Sequence, residues 1–292
     1  MDWTSRRVTA ILQNALQEDR ATSDATTYAC IDVNQRASAT ILAKQDCILA
    51  GLGCVSRILE VFAKLDGTVT SHPEVVSHPE VFDGARLHKG QSIAVILHNA
   101  RVLLSCERVI LNILQRLAGI ATLTRQYVDA VAGTKTTILD TRKTAPGLRI
   151  LDKLAVRCGG GTNHRLDLSD GVLIKNNHIA LAGGVVPALQ RALKNRRGSQ
   201  LIEIEVRSIN EFEAVVEHGA EAVLLDNMSP DQVRQAVELV SHLDRPLPLE
   251  ASGGITLENV RAYAETGVNF ISVGALTHSV HAVDLSMRIQ PA

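Results

Sequence analysis

Aromatic side chains are scarce in this chain, at 3% of 292 residues. So few rings leave little with which to stack bases, and the charge is balanced, 30 Lys and Arg against 31 Asp and Glu for a formal net charge of −1. A nucleic-acid binder, with its stacking surfaces and basic bias, is therefore excluded. Cysteine is sparse too. Cys30, Cys47, Cys54, Cys106 and Cys158 are odd in number and form no C-x-x-C pair, which excludes a disulfide framework or a zinc ribbon and points to a reduced, cytoplasmic protein. No run nears the roughly 18 apolar residues of a membrane span. The opening residues carry Gln13 and Asn14 inside their apolar run, so they read as an amphipathic helix rather than a signal peptide. Common motifs are missing as well: there is no G-x-x-x-x-G-K-[ST] loop, no G-x-S-x-G and no H-E-x-x-H, which removes the usual nucleotide triphosphatase and hydrolase signals. GLGCVS, residues 51–56, is a broken G-x-G-x-x-G that glycines packing a strand against a helix explain as well.

What is present is an ample aliphatic core, with 46% hydrophobic and 21% charged residues, the proportions of a globular protein. From about Thr134 onward, short β-branched segments alternate with helical patterns, the rhythm of βα units and a parallel sheet. The candidate strands are TTILD (136–140), GVLIK (171–175), LIEIEV (201–206), AVLLD (222–226), LPLEAS (247–252) and FISVG (270–274). Helical patterns between them open on Ser208, Ser229 and Thr256, residues suited to capping a first turn. Asp140, Lys175, Glu205, Asp226, Glu250 with Ser252, and Gly274 stand at or near the strands' carboxyl ends, the rim that carries the chemistry of βα barrels. Six or seven units fall short of a complete barrel, so a short or open one is expected; a doubly wound sheet fits the same rhythm. The first 110 or so residues read instead as an α+β domain, with the final HAVDLSMRI segment returning to it. Within it, the duplication SHPEVVSHPEVF (71–82) reads as a surface loop, His72 and His78 lacking the neighbours of a metal site.

The stretch from Leu139 to Arg165 concentrates positive charge: Arg142, Lys143, Arg149, Lys153, Arg157 and Arg165 against Asp140 and Asp152. Guanidinium forks match carboxylate and phosphate oxygens, and a lysine supplies a compact charge. Gly159, Gly160 and Gly161 permit a tight backbone turn, His164 and Arg165 follow at once, and Lys175 closes the next strand. Together they predict an anion site. Arg149, Lys153 and Arg157 fall on an intervening helix and are read as structural or interfacial. Glu205 and Asp226 close consecutive strands; they suit a sugar hydroxyl, or Mg²⁺ held through water and phosphate oxygens. Salt bridges to Lys175 and neighbouring arginines are compatible with that role, because an empty site pairs its own charges. Ser252, Gly253 and Gly254 after a strand, with Gly274 after the last one, form a ready phosphate cradle.

The run DTRKTAPGLRILDKLAVRCGGGTNHRLDLSDGVLIKNNHI resembles the central motif of the quinolinate phosphoribosyltransferase family. ERVILNILQRLAGIAT, EIEV, VLLDNM, EASGGI and ISVGALTHS match it too, so the resemblance covers nearly the whole chain. It implies a type II phosphoribosyltransferase fold: an N-terminal α/β sandwich over residues 1–114, completed by 280–292, and an incomplete α/β barrel over 115–279. It implies transfer of phosphoribosyl from phosphoribosyl pyrophosphate to quinolinate with decarboxylation, giving nicotinate mononucleotide, pyrophosphate and CO₂ for NAD biosynthesis. By that resemblance Arg142, His164, Arg165 and Lys175 bind the quinolinate carboxylates, and Arg108 completes the pocket from the neighbouring subunit of a homodimer, alone or within a hexamer. Lys143 faces the donor, Glu205 and Asp226 its ribose and Mg²⁺, while Ser252, Gly253, Gly254 and Gly274 hold the 5′-phosphate. The departures are Ser23 before Asp24-Ala25-Thr26, Asn176 after Lys175, and the duplication. The competing readings are a nicotinate phosphoribosyltransferase or molybdenum-associated relative on the same fold, and a non-catalytic phosphate-binding barrel. Intact TRKTAPGLR and GGGTNHR segments favour quinolinate, whose second carboxylate needs more cations.

Overall fold

The computed structural model describes residues 1–67 and 73–292. The chain forms two compact units, each built from separated segments: Met1–Arg125, Thr144–Gly160 and Ser279–Ala292 make the first, Gln126–Lys143 and Gly161–His278 the second. Among the described residues no helix is long and apolar enough to cross a membrane.

In the first unit the strands are β1 (Arg36–Ala43), β2 (Cys47–Ile48), β3 (Glu74–Val76), β4 (Arg86–Leu87), β5 (Ser92–Asn99) and the last of the chain, β12 (Leu285–Pro291). Four of them form an antiparallel sheet in the order β12-β1-β5-β3, and β2 pairs with β4. Alternation along β1 buries Ala37, Ala39, Ile41 and Ala43, and these mostly small residues admit close helix packing on that face. The helix Arg6–Glu18 contributes Val8, Leu12 and Leu16, spaced by four so that they share a stripe. The helix Cys54–Asp66 adds Val55, Ile58, Leu59 and Phe62 to the same core. Gly53, in the broken glycine motif, has a packing role: a Cβ there would strike the indole of Trp3.

The duplication differs from the expected loop. Ser71 and His72 of its first copy lie outside the described residues, but Glu74–Val76 is a strand on the free edge of β5, with Val75 opposite Ile96. Consecutive β-branched valines beside an open edge favour pairing. His78 in the second copy is exposed, 3.6 Å from Glu80.

The second unit holds β6 (Thr137–Leu139), β7 (Val172–Ile174), β8 (Ile202–Val206), β9 (Ala222–Asp226), β10 (Leu249–Ser252) and β11 (Phe270–Ser272). All pairs are parallel, and the order is β6-β11-β10-β9-β8-β7. Five consecutive strands advance in one direction, and the first then joins beside the last. That cyclic order is the order of a barrel, whereas a doubly wound sheet would reverse at a switch point. Among the described residues β6 and β7 do not pair, so the barrel is incomplete, and a bridge from Leu139 to Thr162 extends that edge. The helices Ile209–Glu217 and Pro230–Ser241 begin as expected, with Ser208 Oγ accepting from Glu211 N at 3.2 Å and Ser229 Oγ from Gln232 N at 3.3 Å. Thr256 caps nothing. The helix is shortened to Val260–Ala264, and Asn259 before it makes no side-chain capping bond either: its Oδ1 accepts from Thr256 N at 2.8 Å and its Nδ2 donates to Gly254 O at 2.9 Å, within the preceding loop.

Candidate active site

Side chains two apart along a strand share a face. On β8 this sets Glu203 and Glu205 together, with buried Ile202, Ile204 and Val206 on the other face. The same count joins Leu224 to Asp226 on β9 and Glu250 to Ser252 on β10. Leu224, Asp226, Glu205, Glu250 and Ser252 line a cavity of 490 Å³ in the second unit, with Arg142, Lys143, His164, Arg165, Lys175, Gly253 and Gly254 completing most of its wall. That volume suits small-molecule sites. Gly274 is not on the wall, but a Cβ there would stand 3.2 Å from Lys143 Cδ and 3.1 Å from the His278 ring. Arg108, on the helix Ala100–Ala130, belongs to the first unit and does not line the cavity.

Asp140 organises the cationic end. It is fully buried at the close of β6, and its carboxylate accepts from His164 N at 2.8 Å and Asn163 Nδ2 at 2.6 Å. Its own N–H donates to Thr162 O at 3.1 Å. One carboxylate thus fixes the segment carrying His164 and Arg165 beside the one carrying Arg142 and Lys143. The two arginines are close enough to repel: burial, and then the charge of Arg142, pull the Arg165 pKa below its ordinary value. Arg165 Nη1 donates to Gly171 O at 3.1 Å, and Arg142 Nε is buried with no hydrogen-bond partner. A donor held so near a like charge is arranged for an acceptor with more negative charge than water offers.

His164 also meets a pair of acids: Glu250, one of the residues at the strand ends, and Glu203, which the strand ends do not single out. His164 Nε2 is 3.2 Å from Glu203 and 3.3 Å from Glu250. Burial opposes a charged imidazole, yet hydrogen bonds and charge from Glu203 and Glu250 outweigh it and raise His164 to about 10. Glu203 is itself raised by burial, with Glu250's charge adding to the rise. These three residues bring ligating atoms within 4.8 Å and by distance could hold a metal ion. Both carboxylates, however, face Nε2 and hold a proton there, which takes that nitrogen away from a metal. The hydrogen-bond pattern favours a proton at that position. The signal for these acids was the alternation itself: Glu203 lies two residues before Glu205, and Glu250 two before Ser252.

At the other end Glu205 and Asp226 stand on adjacent strands. Burial and then the charge of Asp226 raise the Glu205 pKa; Lys175, 3.8 Å away, and Arg207, 3.5 Å away, act against the rise, as does the Asn176 backbone N–H. Arg207 also reaches Asp226 at 3.1 Å, and nothing in the sequence reading had singled it out. Next to Asp226, Asn227 sits in the left-handed region at φ 55°, and its N–H donates to Ser252 O at 2.8 Å. Gly253 has φ 93°, and a Cβ there would run into the Asn227 side chain, so only glycine fits. Ser272 Oγ donates to Ser252 Oγ at 2.8 Å, and Thr277 Oγ1 to Lys143 O at 2.8 Å, which ties the lysine's backbone to the short helix Ala275–His278 after β11. The cavity thus has a cationic end, an acidic end and a glycine-rich wall, an arrangement for an oxyanion-rich pair of ligands.

Comparison with known proteins agrees with this geometry. Residues 24–118 match the quinolinate phosphoribosyl transferase N-terminal domain, and residues 120–288 the C-terminal domain of the same family. The chain is 42% identical over 281 residues to the probable nicotinate-nucleotide pyrophosphorylase [carboxylating] of Bacillus subtilis, covering 96% of this chain and 92% of that one. It is 41% identical over 279 residues to the nicotinate-nucleotide pyrophosphorylase [carboxylating] of Mycobacterium leprae, covering 95% of each. Among solved structures, NadC from Streptococcus pyogenes superposes with a TM-score of 0.91 at 35% identity, over 100% of this chain and 99% of that one.

Proposed function

The chain belongs to the quinolinate phosphoribosyltransferase family, and we propose from its site the way it joins quinolinate to phosphoribosyl pyrophosphate with loss of CO₂. The observation that carries the reading is the Arg142–Arg165 pair: two close guanidiniums, one with a buried unpartnered Nε, match a dicarboxylate better than a single one. We assign Arg142, Arg165 and Lys175 to the two carboxylates. His164, its Nε2 proton engaged by Glu203 and Glu250, bounds the pyridine ring. Lys143 faces the donor's diphosphate, and Ser252, Gly253, Gly254 and Gly274 take its 5′-phosphate, where the absence of side chains at the glycines lets the backbone approach.

Glu205 and Asp226 fit Mg²⁺. They offer hard carboxylate oxygens from neighbouring strand ends, and Asp226's charge raises Glu205, a mutual repulsion that a cation relieves; the remaining ligands of such an ion are ordinarily water and substrate phosphate oxygens. When bound, the ion supplies positive charge to the departing pyrophosphate. The protein's own part is orientation and fixed charge. Held by its carboxylates, quinolinate presents the ring nitrogen to C1′ of the ribose; the N–C1′ bond forms as the C1′–O bond to pyrophosphate breaks, through an oxocarbenium-like transition state. Glu205 and Asp226 stabilise that developing positive charge and orient the ribose hydroxyls. CO₂ then leaves with the electron pair of the C2–carboxylate bond kept on C2, where the adjacent quaternised nitrogen stabilises it as an ylide, and a proton from water takes the place of the carboxylate. No nucleophilic side chain is required.

Purified protein supplied with quinolinate, phosphoribosyl pyrophosphate and Mg²⁺ should form nicotinate mononucleotide and CO₂ in equal amounts. Turnover of nicotinate but not quinolinate overturns the reading. Arg108, absent from this cavity, we assign to the cavity of a second copy in a homodimer. Arg108→Ala and Lys175→Ala should each abolish activity and partly restore it when mixed. If mixing restores none, the shared site is wrong. The free cysteines support a reducing, cytoplasmic setting.

A further inference from the structure

Arg207 follows β8 directly and is not among the residues lining the cavity, yet both acids of the proposed metal pair share it. Its Nε donates to Asp226 Oδ2 at 3.1 Å, and its Nη2 stands 3.5 Å from Glu205 Oε1. Its backbone N–H donates to Glu211 Oε2 at 2.7 Å, which roots the residue on the first turn of the helix Ile209–Glu217. The side chain is 54% exposed, while those of Glu205 and Asp226 are 7% and 16% exposed. One half-exposed cation therefore bridges two largely buried anions.

The physical argument is competition. Two carboxylates this close need a countercharge, and Arg207 supplies it at oxygens that a divalent ion would also use. Guanidinium and metal cannot share those oxygens without like-charge repulsion at short range. An arginine with half of its side chain in water gives up such a pair at little cost, unlike one enclosed with its partner. Lys175, at 3.8 Å from Glu205 alone, cannot bridge both acids.

We propose that Arg207 is a displaceable internal counterion, occupying Glu205 and Asp226 until a divalent cation replaces it and so weakening metal binding to the free protein. The inference rests on the assignment of those acids to a metal, and it is tested apart from turnover, by titrating Mn²⁺ into the substrate-free protein and reading the dissociation constant by electron paramagnetic resonance. Arg207→Gln should bind Mn²⁺ about two- to fivefold more tightly than the parent, within the range of one exposed ion pair, and Arg207→Lys should fall between. Equal or weaker binding in Arg207→Gln, with thermal unfolding unchanged, overturns the proposal. So does Mn²⁺ binding that survives Glu205→Gln, because the ion would then sit elsewhere. Either result leaves the quinolinate assay standing as a separate measurement, whereas failure of that assay alone removes the catalytic reading and not the competition.

Discussion

Arg116 in the first unit and Arg142 in the second are both arginines held by the fold, and they end in opposite conditions. Arg116 donates through Nε and Nη2 to the two oxygens of Asp152 at 2.9 and 2.7 Å, and Asp152, fully buried, also accepts from Ala145 N at 3.2 Å. That fork is closed within the protein. Arg142 instead shares its surroundings with Arg165, and its Nε is buried without a partner. The basic stretch from Leu139 to Arg165 divides along the same line. Residues 144–160 belong to the first unit, where Arg149 Nε donates to Thr144 Oγ1 at 3.1 Å and Lys153 is buried; residues 139–143 and 161–165 belong to the second. Neighbouring cations in one sequence run thus serve cohesion in one unit and line the cavity in the other, and the deciding observation is whether the fold has already supplied the acceptor.

Substitution can break that contrast. The largest effect is expected at Arg142→Ala, which should lower kcat/KM for quinolinate by a factor on the order of 10³, about 4 kcal/mol for a charge-paired contact, while urea unfolding barely changes. If Arg142→Ala unfolds the protein and leaves quinolinate affinity intact, the contrast fails at its functional end. Arg116→Met should do the reverse, removing about 3–5 kcal/mol of stability by stranding buried Asp152, with steady-state constants of the folded fraction unchanged. A change in quinolinate KM without lost stability would erase the distinction. Gly253→Ala comes next: its Cβ meets Asn227 at a φ of 93°, so about 1–2 kcal/mol of strain should appear in the KM for phosphoribosyl pyrophosphate more than in that for quinolinate.

The smallest effect tests the acids that face His164. Glu250→Gln should move the His164 titration midpoint down from about 10 toward the ordinary 6.5, read by NMR of the ring. Because the folded-state value is the raised one, the stability that His164 contributes is complete below about pH 6.5 and is lost as pH rises through about 10. The variant should lose that dependence on pH. A ring that titrates identically in parent and variant would mean that Glu250 does not hold its proton.

Much of the second unit was legible because parallel strands are short, apolar and closed by polar residues at one rim. Each of the six candidate strands contains an observed one, trimmed by no more than two residues at either end. The site residues on strand ends were legible for the same reason, since strand direction fixes which end they share. Glu203 was readable from the two-residue period but hidden by the more evident Glu205 above it. Arg207 was not readable: a residue just beyond a strand can turn either way, and only the folded rim brings it to both acids. The failure at Thr256 has a similar cause: residues 257–259 form a turn, and the helix begins only at Val260, too far along for Thr256 to cap. In the first unit, Glu74–Val76 was missed because a strand of three residues on a sheet edge has too little length for alternation to show.

The segment boundaries carry a consequence for how this chain can be divided. The chain leaves one unit for the other after Arg125, Lys143, Gly160 and His278. No single cut therefore yields either unit as a continuous polypeptide, and two of the four crossings adjoin the segments that Asp140 fastens together. A fragment ending anywhere before Thr162 would present Asp140 with none of Thr162, Asn163 or His164. During synthesis the cationic wall can close only after the excursion through residues 144–160 has been made and the chain has returned. Recombination with a relative faces the same constraint: a crossover inside that excursion takes Arg142 and Lys143 from one parent and His164 and Arg165 from the other, so the cationic wall stays whole only when the helix that interrupts it is inherited with it.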